Sequence, residues 1–463
     1  MNFLDRKADI ERLNEAFGRK NPQFVVVYGR RRIGKSTLIK KVLDADRGDV
    51  YFLCDQTSES HQRFLFSRSV SLTVEGFDKV TYPDWEVLFE ALNRQLTRRV
   101  KICLDEFPYL VKSCPSLKSV LQKLLNGKTF KFDLIICGSS QQLMQGLVLD
   151  KKEPLYGLAD EIIKLQPIPP GFIAEALGCD AVSAVEEYAI WGGIPRYWEL
   201  RREYVDRETA IRKMLLDTQG ILADEPQRLL RDDLRETIQT TTLLSLIGNG
   251  VHRSSEIAAR VGKEATSITE PLSKLRELGF IRREIPFGEN EKTSKKGIYR
   301  IDDPLTEFYF RFVAPYRSLL EFGRIDTIMQ IVNEQFPGYA GDCWEHLCRH
   351  YVSGNMIDGI AYKMASRWWG KIFPPGYEKE GKMTEIDVLA ESFDKKHILI
   401  GECKWTGEED AARLKAHLEE TARYLPFIKK NHTVHIVLFL KQPPRNGENA
   451  QVMLPQDVLG LCP

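Results

Sequence analysis

The stretch Phe24-Val25-Val26-Val27-Tyr28-Gly29-Arg30-Arg31-Arg32-Ile33-Gly34-Lys35-Ser36-Thr37 constrains this chain more than any other. Five strand-forming residues lead to a turn at Gly29, and Leu38-Ile39-Lys40-Lys41-Val42-Leu43 beyond it reads as helix. The pattern G-x-x-x-x-G-K-[ST] between a strand and a helix is that of a phosphate-binding loop. Glycines let the backbone wrap closely around an anion, while loop N–H groups and the helix N-terminus point at it. The expected ATP-binding residues are therefore Gly29, Arg30, Arg31, Arg32, Ile33, Gly34, Lys35, Ser36 and Thr37. Lys35 is expected to reach the β- and γ-phosphates, and the Ser36 hydroxyl to ligate Mg²⁺. The three arginines contribute backbone to the loop; their side chains are either solvated or meet another domain.

At roughly 150 residues per domain, the 463 residues suggest about three domains with ample material for cores. The apolar share of 43% and charged share of 28% are those of a soluble globular protein. A net charge of +1 excludes a globally basic chain, so any nucleic-acid surface is a local patch. The nine cysteines, from Cys54 to Cys462, form no C-x-x-C pair, which removes the usual zinc and dithiol motifs. The charged start Met1-Asn2-Phe3-Leu4-Asp5-Arg6-Lys7 lacks a signal core, and no run approaches the ~18 apolar residues of a membrane span. A reduced, cytoplasmic protein with no membrane contact is expected.

Asp5 is placed to cap a helix in which Ile10, Leu13 and Phe17 recur at helical spacing. Val50-Tyr51-Phe52-Leu53-Cys54 reads as a second strand, and 64–96 as mostly helical. Val100-Lys101-Ile102-Cys103-Leu104-Asp105-Glu106 is a mostly apolar strand ending in two carboxylates, the expected partner of a phosphate loop. Asp105 would hold Mg²⁺, and Glu106 would polarise the attacking water as general base; the alternative is a buried strand whose carboxylates cap the next helix. Leu134-Ile135-Ile136-Cys137-Gly138-Ser139-Ser140 is a further buried strand. Ser139 or Ser140 either senses the γ-phosphate or caps the helix beginning at Gln141, and the residues do not choose between these roles. Strands alternating with helices imply a parallel sheet covered on both faces, with nucleotide at the C-terminal strand ends.

Phe3-Leu4-Asp5-Arg6, the loop from Gly29 to Ser36, Leu104-Asp105-Glu106-Phe107-Pro108-Tyr109-Leu110, Cys137-Gly138-Ser139-Ser140 and Pro154-Leu155-Tyr156-Gly157 together resemble the archaeal-type AAA-related ATPases of the STAND and AAA+ branch. In that family an arginine, a candidate finger, often follows Leu-Tyr-Gly; Leu158 stands in its place here, so such an arginine must come from elsewhere. Beyond the proline-rich 165–171 break, Trp191-Gly192-Gly193-Ile194-Pro195-Arg196-Tyr197 resembles the Gly-Gly-x-Pro motif of the family's helical lid. The resemblance implies that Arg196 approaches the nucleotide as a second sensor; otherwise it is a surface arginine after a helix break.

From 234 to 310 the pattern changes. An apolar helix over 242–247, a short helix over 254–262 and a third over 266–278 precede a hairpin opening at Phe280 and returning at Gly297. That order is the one of a winged helix-turn-helix, whose third helix enters a major groove. Ser267, Thr269, Ser273, Lys274 and Arg276 are the candidate DNA contacts, with Lys292, Lys295 and Lys296 on the wing meeting phosphates. Pro271 is expected to kink or shorten the third helix. Such a domain can instead serve protein contacts alone.

A new helix is expected over 340–351, carrying Glu345. Thr384-Glu385-Ile386-Asp387-Val388-Leu389-Ala390 and His397-Ile398-Leu399-Ile400-Gly401-Glu402-Cys403-Lys404-Trp405 read as two strands of a hairpin. They resemble the PD-(D/E)-x-K nuclease fold and the domain commonly fused to this type of ATPase. Asp387 and Glu402 on adjacent strands can hold Mg²⁺, Glu345 can complete the metal site, and Lys404 on the same face can orient or deprotonate water. The alternative is a polar sheet face with incidental charges.

The expected architecture is multidomain α/β: a P-loop parallel sheet (1–165) with a helical lid (166–232), a winged helix-turn-helix (233–315) and a C-terminal restriction-endonuclease-like α/β domain (316–463). Two functions fit. One is an ATPase using ATP and Mg²⁺ to govern DNA binding and cleavage, with Glu106, Asp387, Glu402 and Lys404 as its catalytic groups. The other is a STAND-like switch, acting as a homo-oligomer or on a partner protein, whose C-terminal domains bind without cutting.

Overall fold

The computed structural model describes residues 4–127, 130–234, 237–446 and 449–461. Phe3 of the amino-terminal motif and Cys462 lie outside them. The chain divides into two units, the first comprising residues up to Ile168, Ile194–Glu199 and a short segment around Asp233, the second comprising the rest.

The first unit is built on five strands: β1 (Phe24–Tyr28), β2 (Val50–Leu53), β3 (Lys101–Asp105), β4 (Asp133–Gly138) and β5 (Glu161–Lys164). Their order is β2-β3-β4-β1-β5, and every pairing is parallel. All residues of β1 and β4 are buried, as expected of central strands covered on both faces. This order brings the ends of β1, β3 and β4 together, so the phosphate loop, Asp105 and Ser139 meet at one rim of the sheet. β5 is short and charged at both ends, and periodicity does not betray it.

The amino-terminal helix, Lys7–Phe17, differs from expectation. Asp5 does not cap it: the cap position falls to Arg6, which has φ 78° and makes no side-chain cap hydrogen bond. A left-handed conformation at a bulky residue costs energy and persists only where the surroundings enforce it. Here the Arg6 guanidinium is buried and donates to the Ile33 carbonyl at 3.2 Å, bracing the phosphate loop from behind.

In the second unit, helices Thr237–Gly248, Ser254–Val261 and Ala265–Glu277 precede an antiparallel pair, β6 (Ile281–Glu284) and β7 (Ile298–Ile301). The third helix runs on through Pro271, neither shortened nor ended there. The two-residue strands β8 (Met356–Ile357) and β9 (Ile360–Ala361) pair with each other. The main sheet contains β10 (Ser366–Ile372), β11 (Lys382–Glu391), β12 (His397–Lys404), β13 (Thr433–Leu440) and β14 (Gln451–Met453), in that order. The first two pairings are antiparallel and the last two parallel. The helix expected over 340–351 is longer, Ile325–Val352, and continues through Pro337. Pro337 is exposed, as is Asn333 one turn earlier, so the carbonyl that loses its N–H partner faces water. Trp344 anchors this helix to the sheet by donating to the Phe439 carbonyl at 3.1 Å.

Among the described residues, no helix is long and apolar enough to cross a membrane.

Candidate nucleotide site and a second carboxylate site

The phosphate loop leaves β1 at Gly29, where a Cβ would lie 2.8 Å from the Leu165 carbonyl oxygen, so only glycine fits. Gly34 has φ 96° at the start of the helix Lys35–Val42, a second position that favours glycine. Lys35 is buried, and its ammonium donates to the Gly29 and Arg30 carbonyls at 2.9 and 3.0 Å. Burial pulls its pKa below the ordinary lysine value, against the fields of Glu106, Asp105 and Asp233. Thr37 is exposed.

Asp105 is 1% exposed and fully engaged. Its Oδ2 accepts from the Ser36 hydroxyl at 2.6 Å and the Tyr51 hydroxyl at 2.6 Å; its Oδ1 accepts from the Glu106 amide at 2.9 Å. Glu106 itself has φ 53°, a strained conformation at a strand end. Its Oε2 accepts from the Ser139 hydroxyl at 2.9 Å and the Ser139 amide at 3.2 Å. Of the capping and sensing roles left open by the sequence, the structure shows the capping one. Ser140 caps the helix Gln141–Leu149 by accepting from the Leu143 amide, while Ser139 turns to Glu106. Ser36 and Asp105 offer the hard oxygen donors that Mg²⁺ prefers.

Pro195 Cγ lies 3.9 Å from where a Gly34 Cβ would be, so the Gly-Gly-x-Pro segment borders the loop. Arg196 next to it pairs with Glu199 at 2.9 Å on the exposed side. Arg31 pairs with Asp232 at 3.1 Å, and Arg32 has φ 67°. Leu158 is half-buried against the first unit's core. Sequence reading missed Arg6, Tyr51 and Asp233, all of which the fold brings to this rim.

In the second unit, register alone places Asp387 opposite Glu402, because Val388 pairs with Gly401 across β11 and β12. Asp387 Oδ2 accepts the Cys403 amide at 2.9 Å, and Glu402 Oε1 accepts the Lys404 ammonium at 2.6 Å. Arg349, one turn after Glu345, donates to the Asp387 main-chain carbonyl at 2.9 Å and lies 3.4 Å from Glu345. Its other Nη is 3.7 Å from Glu284 on β6. Burial, and then the charge of Asp387, push Glu345 up to about 7. Burial, and then Glu402, likewise raise Asp387. Burial disfavours the Lys404 charge, but Glu402 and Asp387 hold its pKa above the ordinary lysine value. Lys404 is therefore held as a cation. Among the described residues, no three His, Cys, Asp or Glu side chains converge as a ready-made metal cage. The donors on hand for Mg²⁺ are the opposed pair Asp387 and Glu402, with Glu345 pressing on Asp387 from the helix.

On the helix Ala265–Glu277, Ile268, Leu272 and Leu275 are buried, while Ser267, Thr269 and Arg276 are exposed and Ser273 and Lys274 half-buried. Ser267 bonds to the Glu264 carbonyl, Thr269 to the Ala265 carbonyl, Ser273 to Glu277 and Arg276 to Glu291. Lys296 on the hairpin loop pairs with Glu289 at 2.7 Å.

Residues 3–198 match the family model described as an ATPase domain predominantly from Archaea. Residues 309–415 match one described as archaeal and bacterial proteins of unknown function. Among curated proteins, the uncharacterized protein MJECL04 of Methanocaldococcus jannaschii is 30% identical over 421 residues, 88% of each chain. An uncharacterized ATP-binding protein of the same organism, MJ0423, is 40% identical over 42 residues, 9% of this chain and 71% of its own. Among solved structures, the ORC2 protein of Aeropyrum pernix, seen in ADPNP and ADP complexes, shares 14% identity at a TM-score of 0.45, covering 70% of this chain and 94% of that one. The STAND protein PH0952 of Pyrococcus horikoshii shares 14% identity at a TM-score of 0.32, covering 75% and 49%. Likeness as slight as the last two says nothing of mechanism. The extended match to MJECL04 is of another order: this chain belongs to the same family as that protein, and it joins an archaeal-type ATPase domain to a C-terminal domain of unknown function.

Proposed function

We propose that this chain binds and hydrolyses Mg–ATP in its first unit and uses nucleotide state to govern nucleic-acid binding and Mg²⁺-dependent cleavage in its second. One observation carries the reading: Ser36, Asp105, Glu106 and Ser139 form a hydrogen-bonded set at the rim beside the phosphate loop. Ser36 and Asp105 would hold Mg²⁺, which when bound would supply positive charge to the phosphates. Lys35 would exchange the Gly29 and Arg30 carbonyls for phosphate oxygens, a stronger partner for an ammonium. Glu106 would accept the proton of the attacking water, with Ser139 holding the carboxylate until the γ-phosphate claims the serine. Arg196, beside Pro195, would join by leaving Glu199, and a further arginine would come from a second copy or a partner protein.

On this reading 1–165 is the ATPase core, 166–232 its lid, 233–315 a winged helix-turn-helix and 316–463 a PD-(D/E)xK nuclease-like domain. The mixed order of β10 to β14 supports the last assignment, as does the Asp387, Glu402, Lys404 set on one face. The contacts of Arg349 with Glu284, Glu345 and the Asp387 carbonyl offer a physical link between the hairpin and the carboxylates. A second reading is a STAND-like switch that binds DNA or protein without cutting. The internal hydrogen bonds of Ser267, Thr269, Ser273 and Arg276 favour it.

Plasmid nicking in Mg²⁺, with and without ATP, decides between them. The first reading expects cutting by the wild type and its loss in Lys404→Ala; no cutting by the wild type on any DNA form, with or without nucleotide, moves the assignment to the switch.

A further inference from the structure

Two carboxylates far along the chain reach the surroundings of the phosphate loop, and the hydrolysis just described uses neither. Asp233 ends the helix Glu225–Asp233 and is 4% exposed. Its Oδ1 accepts the Gln141 amide at 2.8 Å, at the start of the helix that follows Ser139 and Ser140. Burial raises its pKa, against the hydrogen bonds of Gln141, Ser140 and Gln142 and the charge of Arg30. Its field also acts on Lys35. The neighbouring Asp232 pairs with Arg31 of the loop at 3.1 Å. Both partners of that pair are about two-fifths exposed, so it contributes little by itself. The buried Asp233 dominates, since losing the acceptor of a buried amide is costly.

A helix N-terminus and a lysine make one positive field, and an anion in it lowers the affinity for a second. Asp233 already acts on Lys35, the cation that the γ-phosphate would take up, while its own hydrogen bond goes to the start of the neighbouring helix Gln141–Leu149. We propose that Asp233, seconded by Asp232, is a latch that holds 231–234 on the nucleotide site in the absence of triphosphate and is loosened when ATP arrives. The inference rests on the ATP-site reading and adds its regulation. Because 231–234 runs on toward the helix Thr237–Gly248, the latch would carry nucleotide state along the chain to the segment assigned to nucleic acid.

The test uses the full chain, trypsin cleavage after the exposed Arg231, and titration of ATPγS with Mg²⁺ on the same samples. Asp233→Asn keeps an oxygen for the Gln141 amide while removing the charge and one acceptor oxygen; Asp232→Asn serves as a milder second variant. ATPγS is expected to speed wild-type cleavage after Arg231 by about fivefold, the size of a like-charge repulsion at about 4 Å screened as in bulk water. Asp233→Asn should cleave at that faster rate without nucleotide and bind ATPγS about fivefold more tightly, with a smaller gain for ADP. Asp232→Asn should shift both readouts the same way by less. Wild-type protein that binds ATPγS but cleaves at an unchanged rate overturns the latch while leaving the ATP site intact. So does an Asp233→Asn protein with wild-type affinity. A wild type that binds no nucleotide removes the ATP site itself and the latch with it.

Discussion

At Asp105 a buried carboxylate is met by neutral donors, two hydroxyls and an amide; at Asp387 it is pressed by other carboxylates. Both lie at the ends of, or across, strands of a five-stranded sheet, and both offer hard oxygen donors. The first is organised before any ligand arrives, because each lone pair of Asp105 in use already has its donor. At the second, burial and then the charge of Asp387 push Glu345 up to about 7, against the charges of Arg349 and Arg367. The contrast teaches that the same residue type can be tuned either for fixed geometry or for demand of a cation, according to what its neighbours donate.

The largest expected effect tests the first site at its cation. Lys35→Ala should weaken ATP binding roughly 100-fold, the worth of charge-assisted contacts to phosphate, by fluorescent-nucleotide titration. Unchanged affinity would make the loop a structural turn and erase the contrast.

A smaller effect probes the second site. Glu345 titrates near 7 in the folded chain against 4.5 ordinarily, so between those values the folded state holds the extra proton. Stability therefore falls as pH rises through that window. Without metal, Tm should drop by about 2–4 °C between pH 5 and pH 8, and Mg²⁺ should restore it at pH 8 but not at pH 5. Glu345→Gln should flatten the pH dependence. A flat wild-type profile, or equal rescue at both pH values, would mean that the carboxylates do not crowd one another.

Legibility followed the range of the interactions. The phosphate loop and Asp105-Glu106 are local in sequence and spacing singles them out, whereas the Asp387, Glu402, Lys404 set lies on neighbouring strands and is read through a resemblance. Ser139 could be narrowed only to a pair, because capping and sensing demand the same residue type. Arg6, Tyr51 and Asp233 carry no local signature: each reaches the site from an element whose position depends on the order β2-β3-β4-β1-β5. The helix through Pro337 was misjudged because proline's cost depends on whether the freed carbonyl faces water, which a sequence does not state. Residues 384–390 and 397–405 carry a readable strand pattern, whereas β10 and β14 do not, since short or aromatic edge strands lack alternation.

Hydrolysis in the first unit would turn on Glu106, which Ser139 holds until the γ-phosphate takes the serine and which then activates water. The direct measurement is ATP turnover beside ATP binding for the wild type and Glu106→Gln. The account predicts turnover in the wild type, near-equal binding by both, and a loss of roughly 100-fold or more in turnover for the glutamine variant. A glutamine variant that hydrolyses at the wild-type rate, or a wild type that binds ATP and never turns it over, would contradict it.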